Sequence, residues 1–240
     1  MNHYTRSEML STPFEGLAMP PRKPLLPLEP IPDMEGVYRA RRGAAAMAAI
    51  KLRDGGLALY SPVTGLTPGA IERMTALGGV SAIIAPNHFH HLALTEYLEA
   101  FPGLPLYAPI GAHRRLEKQT SFSFEDVQDL MPALPDGVRL HQPQGLKAQE
   151  VWVEVITGAE AGLIVCDAFG APAKEDGLPP SEASPRGSFK TMCLKDAEVY
   201  RNWARPHFAR VEITLLLPCY GARVTGKGLS AHLSKSLEAL

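Results

Sequence analysis

The stretch Val80–His91, VSAIIAPNHFHH, decides the fold because it joins a short apolar run to a cluster of histidines. The run Val80–Ala85 is compact and mostly apolar, a pattern typical of a strand buried on both faces. Three of the eight histidines of the chain, His88, His90 and His91, then fall within four residues. Ligands bind at the carboxyl ends of strands in α/β proteins, so this position predicts a functional loop.

The residue types in this loop favour a metal site. On an extended turn His88 and His90, separated by one residue, would project to the same side, and neutral imidazoles are ligands for zinc and related metals. Asp167 follows the apolar strand Gly162–Cys166, where its carboxylate would bind a metal or orient a histidine. Two alternatives stay open: histidines satisfied by backbone carbonyls, and an aspartate that caps a loop.

The composition limits the class of protein. The 240 residues, 45% hydrophobic and 20% charged, are enough for one large α/β domain and exclude a disordered chain or a fibrous repeat. A formal net charge of -1 gives no field that would steer the protein onto nucleic acid or anionic lipid. We therefore expect a small-molecule substrate or ligand, with no nucleic-acid and no membrane partner. The oligomeric state is not indicated.

The cysteines and the amino terminus favour a cytoplasmic protein. No run approaches the length of about 18 apolar residues that a membrane-spanning helix needs, and the first residues lack an apolar secretory segment. Cys166, Cys193 and Cys219 are odd in number and have no C-x-x-C spacing. We expect free thiols in a reducing compartment.

The chain divides into a proline-rich arm, residues 1–34, and a single domain, residues 35–240. The arm has six prolines between Pro20 and Pro32, and its interleaved leucines predict that it packs on a surface. In the domain, two groups of strands alternate with helices, as in two packed sheets covered by helices. The long loop 170–187 is expected to cover the site.

The predicted strands are Gly36–Arg42, Ala44–Lys51, Gly56–Tyr60, Val80–Ala85, Leu104–Tyr107, Val138–His141, Glu150–Ile156, Gly162–Cys166 and Ile213–Leu217. The predicted helices are Thr67–Leu77, His91–Phe101, Gly111–Lys118, Asp196–Ala204, which Pro206 interrupts, and Leu229–Leu237.

Several of these segments carry a family resemblance. Leu57–Pro62 (LALYSP) and Gly162–Phe169 (GLIVCDAF) each end a strand in polar residues, and Leu217–Gly226 (LPCYGARVTG) follows the last strand. With the opening hairpin Gly36–Lys51 and the histidine loop, they resemble the metallo-β-lactamase fold superfamily over roughly residues 35–226. The segment 85–92 resembles the A-P-N-x-F-H-H-L motif of a divergent, largely uncharacterised subgroup. The resemblance implies an α/β fold, a four-layer αββα sandwich.

The resemblance also implies a metal-dependent hydrolase. The chain lacks the family's complete H-x-H-x-D-H motif and has Tyr220 in place of its terminal histidine, whereas Asp167 matches the metal-bridging aspartate. We therefore expect a mononuclear site in which His88, His90, His91 and Asp167 bind zinc, with iron or manganese as alternatives. Water activated there would attack a small ester, thioester or lactone, and Tyr220 would stabilise the oxyanion. The alternative is a non-catalytic, metal-free relative that binds a ligand or partner.

The remaining candidates are weaker. His113, His141, His207 and His232 are isolated in the sequence, which predicts packing or surface residues. Cys219 has no evident base beside it, which argues against a nucleophile.

Overall fold

The computed structural model describes residues 23–240 and contains a seven-stranded sheet with the strand order β1 to β7. Strands β1 to β4 pair antiparallel, and β4 to β7 pair parallel. The strands are β1 (Glu29–Pro30), β2 (Val37–Arg42), β3 (Ala45–Lys51), β4 (Leu57–Tyr60), β5 (Val80–Ile84), β6 (Leu106–Ala108) and β7 (Glu125–Asp126).

A second sheet has five strands in the order β14-β13-β10-β9-β8. Its members are β8 (Val138–His141), β9 (Trp152–Thr157), β10 (Glu160–Val165), β13 (Glu212–Pro218) and β14 (Val224–Thr225). Strands β10 and β13 are parallel, and the other pairs are antiparallel. A separate ribbon pairs β11 (Phe169–Gly170) with β12 (Ser184–Pro185), within the segment predicted as a long loop.

Helices cover the outer face of each sheet. The α-helices are α1 (Pro68–Ala76), α2 (Leu94–Ala100), α3 (Ile110–Thr120), α4 (Ala197–Arg210) and α5 (Leu229–Ser236). Short 3₁₀ turns cover Val127–Ala133, Pro180–Glu182 and Leu237–Ala239, and a π-helical turn covers Phe189–Cys193.

The side chains of each strand alternate between its two faces, so each sheet contributes to two apolar cores. One core lies between the sheets and one lies under each helical layer, which gives three cores and four layers. In β5, Ile84 packs between the two sheets, whereas its neighbour Ile83 packs with Met74 of α1 and Tyr97 of α2. A third cluster lies between the second sheet and helices α4 and α5. Successive strand residues point to opposite faces, and here both faces are covered by apolar groups. The predicted αββα sandwich is confirmed.

Helix α4 differs from the prediction because it continues through Pro206 to Arg210. A proline inside a helix removes one backbone hydrogen bond and crowds the preceding turn. The helix continues because the turn after the proline carries buried side chains, including Phe208, which is 3% exposed. Packing of this face against the second sheet outweighs the local preference.

The described part of the proline-rich arm, 23–34, packs against the first sheet. Leu25 and Leu28 are buried, and Glu29–Pro30 pairs with β2 as the edge strand. The greater part of the predicted arm lies outside the described residues, so a boundary at residue 34 stays a prediction. Among residues 23–240, no helix combines the length and apolarity needed to cross a bilayer.

The sheet topology gathers four strand ends at one corner of the sandwich. Ser61 follows β4, the histidine loop follows β5, Asp167 follows β10, and Tyr220 follows β13. A backbone bridge between Ala45 and Tyr220 joins the two sheets there, with the Ala46 nitrogen donating to the Cys219 carbonyl at 2.8 Å. Residues distant in sequence therefore share one site.

Candidate metal centre

Three different ligand types meet at this corner: His90, Cys166 and Asp167. His90 Nε2 lies 2.9 Å from Cys166 Sγ and 3.3 Å from Asp167 Oδ2, and the sulfur lies 3.9 Å from that oxygen. Four-coordinate zinc binds nitrogen or oxygen at about 2.0–2.2 Å and sulfur at about 2.3 Å, which places neighbouring ligand atoms roughly 3.3–3.8 Å apart. The His90–Asp167 separation lies in this range, and the two separations from the sulfur, 2.9 and 3.9 Å, lie just outside it, so shifts of a few tenths of an ångström would let the three atoms bind one zinc-sized ion.

Ser61 orients the imidazole of His90. Its Oγ lies 2.7 Å from His90 Nδ1, so the opposite nitrogen, Nε2, faces the other two ligand atoms. Ser61 is buried and has φ of 55°, a left-handed conformation that is unusual for a residue with a side chain. Outer hydrogen bonds of this kind fix the orientation of a metal-binding histidine.

Asp167 is ionised and firmly held. Asn87 Nδ2 donates to Oδ2 at 2.8 Å, and Arg186 Nη1 donates to Oδ1 at 2.6 Å. Burial alone would raise the pKa of Asp167, but the hydrogen bonds and charges of His90, Asn87 and Arg186 outweigh burial and hold the pKa below its ordinary value. The second lone pair of Oδ2 remains directed toward His90.

A fully buried carboxylate, Glu150, supports the loop from below. Oε1 accepts from the backbone nitrogen of Cys166 at 2.7 Å and from the indole of Trp152 at 3.1 Å. Oε2 accepts from the backbone nitrogens of Asp167 and Ala168, both at 3.0 Å. Burial and the nearby Asp167 charge raise the pKa of Glu150, whereas the hydrogen bonds from Cys166, Asp167 and Trp152 favour its ionised form. Glu150 thus positions two candidate ligands.

The thiol of Cys166 is protonated in the absence of a cation. Burial, the neighbouring Cys219 and the carboxylates of Asp167 and Glu150 all raise its pKa. A coordinated metal ion deprotonates a thiol, and the resulting thiolate would offset the charge of the ion. All three cysteines are free and buried.

The structure does not bring His88 and His91 to Asp167. The loop is a tight turn instead of an extended one, because Asn87 Oδ1 accepts from the Phe89 nitrogen at 2.8 Å. His88 Nε2 therefore faces Arg115 Nη1 at 3.0 Å, and His91 Nδ1 lies 3.1 Å from the His88 carbonyl. Burial and the Arg115 charge lower the pKa of His88 to about 4. Of the four predicted ligands, only His90 and Asp167 lie together.

Tyr220 lies beside the site. Its ring meets the His90 ring edge-on at 5.9 Å, and the Arg186 guanidinium stacks over it at 3.5 Å from the ring centre. Burial and the adjacent Cys166 and Asp167 raise the pKa of its hydroxyl, which remains a hydrogen-bond donor at neutral pH. Tyr220 also lines a cavity of about 140 Å³. Other lining residues include Ser61, Thr64, Phe89, His90 and Leu92.

Sequence reasoning missed four residues of this arrangement. The sequence pattern predicts Cys166 to be the last residue of a buried strand and Glu150 to be the first residue of another strand. Neither position indicates a metal ligand or a residue that positions one. Ser61 directly follows a predicted strand, and this position is the feature of the sequence that could have indicated a site residue. Arg186 is distant from the predicted site residues in the sequence pattern, and only the folded segment brings it to Asp167.

Known structures share this architecture. VMB-1 is 12% identical over 90% of this chain and 98% of its own, with a TM-score of 0.59. The metallo-β-lactamase FIM-1 from Pseudomonas aeruginosa, solved in a mono-zinc form, is 12% identical over 91% and 97%, with a TM-score of 0.58. Rubredoxin oxygen:oxidoreductase from Desulfovibrio gigas is 13% identical over 88% and 60%, with a TM-score of 0.56.

These likenesses show that the chain has the fold of the metallo-β-lactamases, which confirms the fold that the sequence resemblance implies. Identities this low establish the fold and leave activity to be argued from the site. No family profile matches the sequence, and no curated protein matches it. Assignment to the subgroup with the A-P-N-x-F-H-H-L motif stays a prediction.

Proposed function

We propose that the protein is a metal-dependent hydrolase acting on a small ester, thioester or lactone at a mononuclear centre formed by His90, Cys166 and Asp167. The observation that carries the proposal is the convergence of these three ligand atoms, 2.9 to 3.9 Å apart, beside a cavity. Zinc is the metal that best suits a nitrogen, sulfur and oxygen set, with iron and manganese as alternatives. The centre retains two of the four ligands that the sequence predicts.

A bound metal ion would supply Lewis acidity and lower the pKa of water to near neutrality. The chain's own residues supply orientation and binding. Ser61 keeps Nε2 of His90 directed at the centre, and Glu150 positions the backbone of Cys166 and Asp167. Pre-organised groups of this kind need no rearrangement during reaction.

The cavity supports a small substrate with an apolar part. Phe89 and Leu92 provide apolar surface for an acyl chain, and the volume of about 140 Å³ suits a small group. Tyr220 lines the same cavity with a protonated hydroxyl, which we assign to donating a hydrogen bond to the carbonyl oxygen as charge develops on it. We further propose a cytoplasmic location, where the three thiols stay reduced.

A second candidate function is metal-free ligand binding in the same cavity. The bond of 2.6 Å between Arg186 and Asp167 favours it, because a guanidinium already neutralises the carboxylate that the metal would need. In this case the cavity binds a small molecule and no hydrolysis takes place.

Elemental mass spectrometry on untagged protein purified without added metal distinguishes the two candidates. If the protein is the proposed hydrolase, it contains zinc, iron or manganese, and the ion at this centre is lost in His90→Ala and in Cys166→Ser. The matched control is His113→Ala, which should keep the ion. His113 lies outside the centre, with its Nε2 2.9 Å from the Ala108 carbonyl oxygen. Ester, thioester and lactone substrates are then assayed with and without a chelator. Protein that refuses added zinc, or whose metal content per chain falls in neither site variant, contradicts the proposed centre.

A further inference from the structure

A second cluster of ligand types lies on the outer face of the second sheet. It comprises His141 at the end of β8, Glu154 in β9 and His207 in α4. His141 Nε2 lies 3.2 Å from Glu154 Oε2, and His207 Nε2 lies 3.8 Å from Glu154 Oε1. Both histidines pack against other rings, as their isolation in the sequence predicts, but they are not apart in the fold. They are distant in sequence, and the fold brings both to one carboxylate.

His207 presents a buried nitrogen that needs a partner. Its side chain is 6% exposed, and within residues 23–240 its Nε2 has no hydrogen-bond partner. The distance of 3.8 Å to Glu154 is too long for a hydrogen bond. Buried polar atoms are nearly always satisfied, so an orphaned one points to a missing ligand.

The ring of His207 is also locked in place. It stacks on Trp203, one turn earlier in α4, with 5.4 Å between ring centres and an interplanar angle of 11°. The His141 ring meets it edge-on at 4.4 Å. Rotation of His207 toward another partner would disrupt this packing, so its Nε2 stays aimed at Glu154.

The charges of the cluster favour cation binding. Glu154 is fully buried, and both of its oxygens lie 2.6 Å from Arg210 Nη2. Burial works against ionisation, but His141 and Arg210 outweigh it and lower the pKa of Glu154 to about 2. Arg210 ends α4 with a side chain that is 41% exposed, so its guanidinium is able to rotate into water and leave the carboxylate to another cation.

We propose that His141, Glu154 and His207 form a second divalent-metal site, suited to zinc, that ties helix α4 to the second sheet. Two imidazoles and one carboxylate are an established zinc donor set and leave a fourth position for water. The three ligand atoms all lie within 4.8 Å of one another. Metal binding exchanges one cation for another at Glu154, because the guanidinium of Arg210 leaves as the ion binds. The site shares no residue with the centre at His90.

The two sites are separated by a titration of chelator-stripped full-length protein with Zn²⁺ and Co²⁺. We expect about two ions per chain in the wild type. Because the two centres are independent, Cys166→Ser and His141→Gln should each lose one ion and keep about one. Cobalt bound to a thiolate shows a sulfur-to-metal charge-transfer band, whereas cobalt at the second cluster shows only d–d bands. His232→Ala, a histidine bonded to the Ala183 carbonyl, is the matched control and keeps both ions.

Arg210→Met provides a test that misfolding cannot imitate, because the variant is expected to bind zinc more tightly than the wild type. Removal of the competing cation tightens zinc binding at the second cluster about tenfold and leaves the thiolate band unchanged. An ion that is lost in His141→Gln and retained in Cys166→Ser supports the second site even if the centre at His90 binds nothing. An ion count that His141→Gln and His207→Gln leave unchanged, or an affinity that Arg210→Met fails to raise, overturns the proposal.

Discussion

Oε2 of Glu150 accepts a hydrogen bond from the backbone nitrogen of Asp167 at 3.0 Å, so a fully buried carboxylate sets the position of a second carboxylate in the site. Glu150→Gln replaces an acceptor by an NH₂ group that faces N–H donors. We expect this change to lower the free energy of unfolding by about 2–3 kcal/mol and to weaken zinc binding. Urea unfolding and zinc titration measure the two effects.

The control for this prediction is Glu99→Gln, which makes the same chemical change at an exposed position. It should alter the free energy of unfolding by less than about 0.5 kcal/mol. If Glu150→Gln is equally mild, Glu150 does not organise the loop.

Ser61 allows its hydrogen bond and its backbone strain to be tested separately. Ser61→Ala and Ser61→Gly both remove the Oγ that bonds His90, so both should weaken zinc binding about tenfold. Only glycine relieves the left-handed backbone, with its φ of 55°, and the glycine variant should therefore be more stable than the alanine variant by about 1 kcal/mol. Competition with a chelator measures the zinc affinity, and urea unfolding measures the free energy of unfolding. Unchanged zinc affinity in both variants would show that Ser61 does not orient the histidine.

Arg186 discriminates between the metal-dependent and metal-free functions. Its guanidinium lies 2.6 Å from Asp167, where it repels a bound dication. Arg186→Met should therefore strengthen zinc binding about tenfold if the centre binds metal. Isothermal titration of the stripped protein measures this change. A variant that remains folded but gains no zinc affinity favours the metal-free function.

Asp176 governs a pH-dependent part of the stability. It bonds Arg39, whose side chain is 3% exposed, at 2.9 Å. Burial would raise the pKa of Asp176, but the bond from the Arg223 nitrogen and the charges of Arg39 and Arg41 hold it below 3.8. Because the folded pKa is depressed, the stabilisation is complete well above 3.8 and is lost as the pH falls through the folded value.

Asp176→Asn should therefore cost about 2 kcal/mol at pH 7, because Arg39 loses its counter-charge, and the cost should be the same at pH 5. Below pH 3.8 the difference should shrink, and the wild type and the variant should converge as the pH falls through the depressed folded pKa of Asp176, where its carboxylate becomes protonated. Urea unfolding at these three pH values provides the comparison. A difference that grows in acid would contradict the assignment.

The sandwich could be predicted because its strands are buried on both faces, and continuous apolar runs such as Val80–Ile84 record that burial directly. Parallel strand ends gather ligands, so His90 and Asp167 could be placed at one site. The side-chain directions could not be predicted. Asn87 folds its loop into a tight turn, and this local hydrogen bond sends His88 to Arg115 instead of toward Asp167.

Long-range tertiary contacts account for most of the remaining differences. Nothing near His207 in the sequence reveals that β9 places Glu154 opposite it, or that the packing of Phe208 extends α4 beyond Pro206. Local patterns encode periodicity and turns, whereas these contacts depend on which elements the finished fold stacks together.

The bridge between Ala45 and Tyr220 limits how the cavity beside His90 can change shape. Because backbone hydrogen bonds join the two sheets at this corner, the sheets cannot separate there without losing them, and the part of the cavity wall formed by Ala45, Ala46 and Tyr220 is held in place. Leu92 also lines the cavity, and because it is 80% exposed, it makes few demands on packing. Substitutions at Leu92 should therefore change the size of the group that the cavity admits, at little risk to folding.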